Sequence, residues 1–367
     1  MKKIKVLIVD DSQAMCRFLE QILSADAEIE VVGSALDAFE ARSLIKQLNP
    51  DVLTLDIEMP RMDGLTFLKN LMRLRPMPVV MLSSLTASGA AVTLEALSAG
   101  ALDFLVKRHP VNGDDYIVYI QEIVQRVKVA AQQGIQEQSG VPKRVGSSDH
   151  AGYGEWSKQV VEQPVLSKDI DHVVAIGAST GGPEAIRAVL QNFYAPRVAL
   201  VLSQHMPDKF MEPFARRLDS VSQFSVTVAQ SGAKLQPGCC YVAPGNQHMK
   251  FTGRGAALTM TVSDGDKVNG HRPAVDVMFK SLAQRAGASC LGVLLTGMGR
   301  DGAEGMRDLA QAGSFNLIQD EKSSAVWGMP GAAAGLGAAH ATLSLTDIGP
   351  TLESLLTGAQ PARSKVS

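Results

Sequence analysis

Strands that are apolar from end to end, each followed by a helical stretch, constrain this chain more than any other feature. Residues 4–9 read Ile-Lys-Val-Leu-Ile-Val, and comparable runs recur near 30–33, 51–55, 78–82 and 102–106. Amphipathic stretches follow them at 13–24, 37–48, 64–74, 89–99 and 114–131. Strands without polar alternation must be covered on both faces, which a parallel sheet wrapped by crossover helices provides. From 132 to 168 Gln, Ser, Gly, Lys and Glu dominate and the periodicity fails, as in a linker. It resumes at 172–176, with further strands near 197–203, 290–296 and 314–319 and helices near 183–191, 207–218 and 275–285. The predicted organisation is therefore an α/β domain over 1–131, a linker over 132–168, a second α/β domain over 169–358 and a polar tail over 359–367. Two domains suit a chain of 367 residues.

The bulk properties exclude some roles. A formal net charge of −2 gives no electrostatic reason for nucleic-acid binding. No basic helix-turn-helix segment occurs in the second half, which is Gly-rich α/β instead. No apolar run reaches the length of a membrane span. The N-terminal MKKIKVLIVDDS has a basic start and an apolar run. That run is too short for a signal peptide and ends in two aspartates, so it reads as a first strand of a cytoplasmic protein. Cys16, Cys239, Cys240 and Cys290 show no metal spacing and are expected to be reduced.

In parallel α/β sheets, sites form where the carboxyl ends of the strands emerge. In the first domain those ends carry Asp10 and Asp11, then Asp56, then Ser83 and Ser84, then Lys107. Three clustered carboxylates repel one another unless a hard cation such as Mg²⁺ joins them. A carboxylate neutralised in this way can accept a phosphoryl group, with an ammonium pairing the added charge.

Across 4–130 the chain resembles response-regulator receiver domains, through VLIVDDS, DVLTLDIEMPRMDGL, VVMLSSLT and GALDFLVK. The resemblance implies a flavodoxin-like five-stranded parallel fold, with Asp56 as phosphoacceptor and Asp10, Asp11 and Asp56 around Mg²⁺. It further implies that Ser83 and Phe104 are the switch residues and Lys107 the phosphate-pairing lysine. The family usually has proline directly after that lysine. Here Arg108 and His109 intervene before Pro110.

In the second domain three strands also empty into polar or Gly-rich turns. The first is followed by Gly177-Ala178-Ser179-Thr180-Gly181-Gly182, a strand–turn–helix arrangement that exposes a serine. The same residues suit helix capping or phosphate binding. The second strand ends in Gln204-His205-Met206-Pro207, and the third in Gly297-Met298-Gly299-Arg300-Asp301-Gly302. Singly, His205 reads as a surface histidine and Asp301 as a helix cap, with Glu304 at capping-box spacing. Together the strand ends supply Ser, His and Asp, the set for nucleophilic acyl transfer, in an order unlike that of α/β-hydrolases.

From about 171 to 355 the chain resembles the catalytic domain of bacterial chemotaxis protein-glutamate methylesterases of the CheB type. AIGASTGGPEAI, QHMPDKF, YVAPGNQHM, HRPAVDVMF and LLTGMGRDGAEGM carry the likeness. It implies a doubly wound α/β catalytic domain with Ser179 as nucleophile, His205 as base and Asp301 as orienting acid. Thr180 and Met298 fall beside the nucleophile, Met298 with a backbone N–H for the oxyanion. Asn246, His248, His271, Arg272 and Asp276 are expected to shape the site and core. The expected activity is demethylation of chemoreceptor glutamate γ-methyl esters and deamidation of glutamines, with no cofactor for the hydrolysis. The expected partners are methylated chemoreceptors and a chemotaxis histidine kinase. The resemblance also implies that the unphosphorylated receiver packs over the catalytic cleft and that phosphorylation of Asp56 relieves this.

Overall fold

A computed structural model describes residues 3–108, 113–138 and 172–357. Most of the expected linker, the expected tail and the loop beyond Arg108 lie outside these residues. Backbone proximity divides the chain into two compact units, residues 1–143 and 144–367.

The first unit alternates β1 (Ile4–Val9), α1 (Gln13–Ser24), β2 (Ile29–Ala35), α2 (Ala38–Leu48), β3 (Val52–Asp56), α3 (Gly64–Leu74), β4 (Val79–Ser83), α4 (Ala87–Ser98), β5 (Asp103–Val106) and α5 (Gly113–Gln138). The five strands are parallel in the order β2-β1-β3-β4-β5, the flavodoxin-like winding. Val6–Val9, β3 and β4 are buried throughout, as continuous apolar strands require. Side-chain caps start four of the helices: Ser12, Asp37, Asp63 and Thr86 each accept a backbone N–H of the first turn. The periodicity ends α5 at Ala131, whereas the helix continues to Gln138.

The second unit contains β6 (His172–Ala178), α6 (Gly182–Gln191), β7 (Val198–Gln204), α7 (Asp208–Asp219), β8 (Ser225–Val228), β9 (Cys239–Val242), β10 (His248–Thr252) and β11 (Thr259–Ser263). It continues with α8 (Val275–Arg285), β12 (Cys290–Leu294), α9 (Ala303–Gln311), β13 (Phe315–Gln319), α10 (Gly328–Gly335), β14 (Ala341–Leu343) and α11 (Leu345–Thr357). Seven strands form a parallel sheet in the order β14-β13-β12-β6-β7-β9-β8, and β10 and β11 pair as an antiparallel hairpin. From β6 the chain winds one way through β7. From β12, the neighbour of β6, it winds the other way through β13. A crevice opens at the carboxyl ends of strands where winding reverses. An apolar core of Met278, Phe279, Leu282, Met306 and Leu309 from α8 and α9, with Val201 and Leu294 from the sheet, covers one sheet face.

Candidate active site

Both units present their polar residues at such a reversal. In the first, Asp10 follows β1 and Asp56 ends β3, with β1 and β3 adjacent. Asp10 and Asp56 are buried, and Asp11 is exposed. Lys107 Nζ lies 2.7 Å from Asp10 Oδ2 and 2.8 Å from Asp56 Oδ1. Burial pushes the Asp56 carboxyl up to about 6, although the hydrogen bond and charge of Lys107 oppose the rise. Among the described residues, carboxylate oxygens of Asp10, Asp11 and Asp56 come within 4.8 Å of one another. A cluster of hard oxygen donors of this size, open at Asp11, fits a divalent cation such as Mg²⁺.

Gly64 explains why α3 can begin so close to Asp56. A Cβ there would stand 1.9 Å from the Asp56 carbonyl oxygen. Ser83 ends β4 with its hydroxyl 2.7 Å from Thr93 Oγ1. Phe104 is buried in β5, with the Arg126 guanidinium 6.0 Å from its ring centroid. Arg108 has partners of its own: it pairs with Glu122 and lies over the Tyr119 ring.

In the second unit, Ser179 and Thr180 follow β6, His205 follows β7 and Asp301 lies in the loop after β12. Ser179 and Thr180 are buried, and neither caps α6, whose N-cap is Gly181 without a side-chain bond. The Ser179 backbone is held from several sides. Its N–H donates to the Thr296 carbonyl at 3.0 Å, and its own carbonyl accepts from Gly182 N at 2.8 Å. Gln204 Nε2 donates to the same Ser179 carbonyl at 2.9 Å. Thr296 Oγ1 donates to the Thr180 carbonyl at 3.0 Å, tying the β12 loop to the turn after β6.

That loop runs directly against Ser179. A Cβ on Gly297 would meet Met329 Sδ at 2.2 Å and Ser179 Cβ at 2.9 Å. Met298, the next residue, is half-buried.

His205 Nε2 lies 2.8 Å from Asp301 Oδ2. This contact makes Nε2 the protonated nitrogen and leaves the Nδ1 lone pair free; Nδ1 is buried and has no hydrogen-bond partner. Asp301 also accepts from Val275 N at 2.7 Å, Asp276 N at 3.2 Å and Asn269 Nδ2 at 2.9 Å. The carboxylate thus caps α8, the helix before it in the chain, and not α9 as its sequence position suggests; the N-cap of α9 is Gly302. Burial alone would raise the Asp301 carboxyl. The bond and charge of His205, with Asn269 and the Val275 N–H, outweigh burial and hold it down at about 2.

The residues expected to shape the site divide by role. The His271 ring stacks on His205 with centroids 3.7 Å apart and planes at 10°. Asp276 accepts from Gly305 N and Asn269. His248 bridges the Asp266 carbonyl and Ala274 N, and Arg272 donates to the carbonyls of Asp264 and Gly265. Asn246 sits at φ 60° with its N–H on the Arg272 carbonyl. Sequence reasoning missed Asn269 and Gln204 as parts of the site. The Asn-Gly turn signal at 269–270 was the only mark of the first.

The two units define a class: a phosphate-receiver α/β domain joined in one chain to an α/β domain whose site groups a serine turn with a His–Asp pair. Comparison with known proteins gives the family. Residues 6–116 match the response regulator receiver domain and residues 174–352 the CheB methylesterase. A "Protein-glutamate methylesterase/protein-glutamine glutaminase 2" of Xanthomonas oryzae pv. oryzae is 48% identical over 96% of this chain and 97% of its own. A "Protein-glutamate methylesterase/protein-glutamine glutaminase" of Pectobacterium atrosepticum is 43% identical over 99% of this chain and 100% of its own. The crystal structure of the Thermotoga maritima CheB methylesterase catalytic domain is 32% identical over 52% of this chain and 99% of that one, with a TM-score of 0.49. The chain belongs to the CheB methylesterase family. It is an ester hydrolase with an N-terminal response-regulator receiver domain.

Proposed function

We propose that this protein demethylates glutamate γ-methyl esters of chemoreceptors, and deamidates their glutamines, as a step in chemosensory adaptation controlled by phosphorylation of Asp56. The observation that carries the reading is the His205 Nε2–Asp301 Oδ2 contact of 2.8 Å, beside a serine turn at the winding reversal of the sheet. In this reading Ser179 Oγ attacks the ester carbonyl and His205 Nδ1 takes its proton. Asp301 holds the imidazole in the Nε2–H form and stabilises the imidazolium. Backbone N–H groups at Thr180 and Met298 receive the oxyanion. The Ser179 N–H is unsuited to that role because it is committed to Thr296. His205 returns the proton to the departing methoxide, or to the departing nitrogen of a glutamine amide, so that methanol or ammonia leaves, and then activates the water that releases glutamate.

In the receiver, Asp10, Asp11 and Asp56 would hold Mg²⁺, which neutralises the acceptor and the incoming phosphoryl oxygens. Lys107 pairs with the phosphoryl group on Asp56, and Ser83 leaves Thr93 to engage it. A chemotaxis histidine kinase supplies the phosphoryl group, and the protein works in the cytoplasm. No described helix is long and apolar enough to cross a membrane. The domain limits proposed for these roles remain 1–131 and 169–358.

Methanol release from radiolabelled methylated receptor membranes tests the chemistry. Ser179→Ala is expected to lose about three or more orders of magnitude in rate; an unchanged rate would refute the serine mechanism. Acetyl phosphate with Mg²⁺ should raise the activity of the wild type and leave Asp56→Asn unmoved. An equal rise in both would remove Asp56 from the regulation.

A further inference from the structure

Between β11 and α8 the chain turns back on itself at Val268-Asn269-Gly270-His271. Val268 and His271 exchange both backbone hydrogen bonds, at 3.0 and 2.9 Å. The central residues sit at φ 53° and 82°, the positive pair that a type I′ turn requires and that Asn-Gly favours. A turn former alone would account for that dipeptide, but the Asn269 side chain does more. From this exposed turn it reaches inward, where Nδ2 donates to Asp276 Oδ2 at 2.7 Å and to Asp301 Oδ1 at 2.9 Å.

Chemistry fixes the orientation of the amide. Ionised carboxylates only accept, so the NH₂ group and not the carbonyl must face them, one hydrogen to each. Without it, two buried carboxylates would confront each other. Burial already pushes the Asp276 carboxyl up, and the charge of Asp301 adds to this against the Gly305 N–H. The same turn seats the His271 ring on the face of His205.

We infer that Asn269 is a positioning residue of the hydrolytic site: its amide bridges Asp276 and Asp301, joining the two carboxylates and keeping Asp301 aimed at His205. The inference rests on the Ser179–His205–Asp301 reading. His205 faces Asp301 and the His271 ring. Asp301 faces His205 and, from α8, Asp276, which has Lys280 on its own helix. Arg300 is directed to Glu304 at 3.4 Å. Asn269 is the neutral donor between the two carboxylates.

Two variants of the full-length protein separate the amide from the turn. Asn269→Gly keeps a residue at ease with positive φ and removes only the side chain. Asn269→Asp keeps the shape and puts a third carboxylate in place of the donor. For Asn269→Gly, kcat on methylated receptor membranes should fall on the order of 10- to 100-fold, less than the loss of Asp301 itself would cause. KM should stay the same, and the acid limb of kcat/KM should move to higher pH, because protonation of the carboxylate pair becomes easier. Asn269→Asp should fall further. A wild-type kcat and pH profile in Asn269→Gly overturns the inference. So does a loss that is equal at every pH and tracks a lowered melting temperature, since that marks a structural turn only. Ser179→Ala run in parallel keeps the two readings apart. If it retains turnover, the nucleophile assignment fails. If it is inactive while Asn269→Gly is normal, only the role of Asn269 fails.

Discussion

Asp301 accepts four hydrogen bonds, and each has a different origin in the sequence. His205 was legible, because strand ends of a parallel sheet converge and both residues follow apolar runs. The N–H groups of Val275 and Asp276 were not, because sequence spacing ties Asp301 to the helix after it and not to one before it. Asp301→Asn would place an NH₂ group against one of these donors. A loss of about 10⁴ in kcat with little change in substrate binding is expected, measured by steady-state methanol release. Asp56 gives a second residue-scale prediction. Its carboxyl is raised to about 6 in the fold, against 3.8 ordinarily. The receiver is therefore relieved of the cost of ionising it below about pH 4, and loses stability as pH rises through about 6, by up to about 3 kcal/mol. Asp56→Asn removes that cost. In chelator, its melting temperature should exceed that of the wild type at about pH 8, and the gap should shrink towards about pH 5. An equal gap at both would show that ionisation of Asp56 is not the cause.

At the scale of elements, the strands that carry the site were readable and those at the sheet edge were not. β6, β7 and β12 are buried from end to end, and their sequences are correspondingly uninterrupted. β8 alternates buried and exposed residues over four positions, and β14 has three residues, so neither stands out from a loop. The β10–β11 hairpin was not expected: His248 and Met249 were read as motif, and the short alternating run Thr259–Ser263 was passed over. The β12 loop is the element on which the site geometry depends most. It must pass between Ser179 and Met329, and only a residue without a side chain clears both. Gly297→Ala should therefore displace Ser179 or the Met298 N–H. A fall of about 100-fold in kcat is expected, as for loss of an oxyanion donor, with smaller effects on the melting temperature. A variant with normal kcat would mean that the loop yields elsewhere.

Across the whole molecule, each unit buries an apolar core of its own. Val6, Ile8, Leu19, Leu23 and Ile123 centre one, and Val201, Met278, Phe279 and Leu294 the other. Residues 144–367 expressed alone should fold and hydrolyse receptor methyl esters at a rate indifferent to acetyl phosphate, whereas the full chain should respond. A fragment that melts without cooperativity would argue against independent folding. The division into two α/β units was legible because a strong apolar periodicity lapses in the sequence between them. The doubly wound form was expected from the family resemblance alone; which strands flank the reversal was not, since strand order is set by long-range pairing that leaves no local mark. That reversal bears on how the protein is made. Ser179 and His205 leave the ribosome well before β12, yet β12 is the strand that lies beside β6 and whose loop brings Gly297 against Ser179 and Asp301 to His205. In the proposed mechanism a nascent chain therefore carries Ser179 unarmed through most of the synthesis of the second unit, and hydrolytic competence arrives late, when β12 adds to the open β6 edge of the sheet.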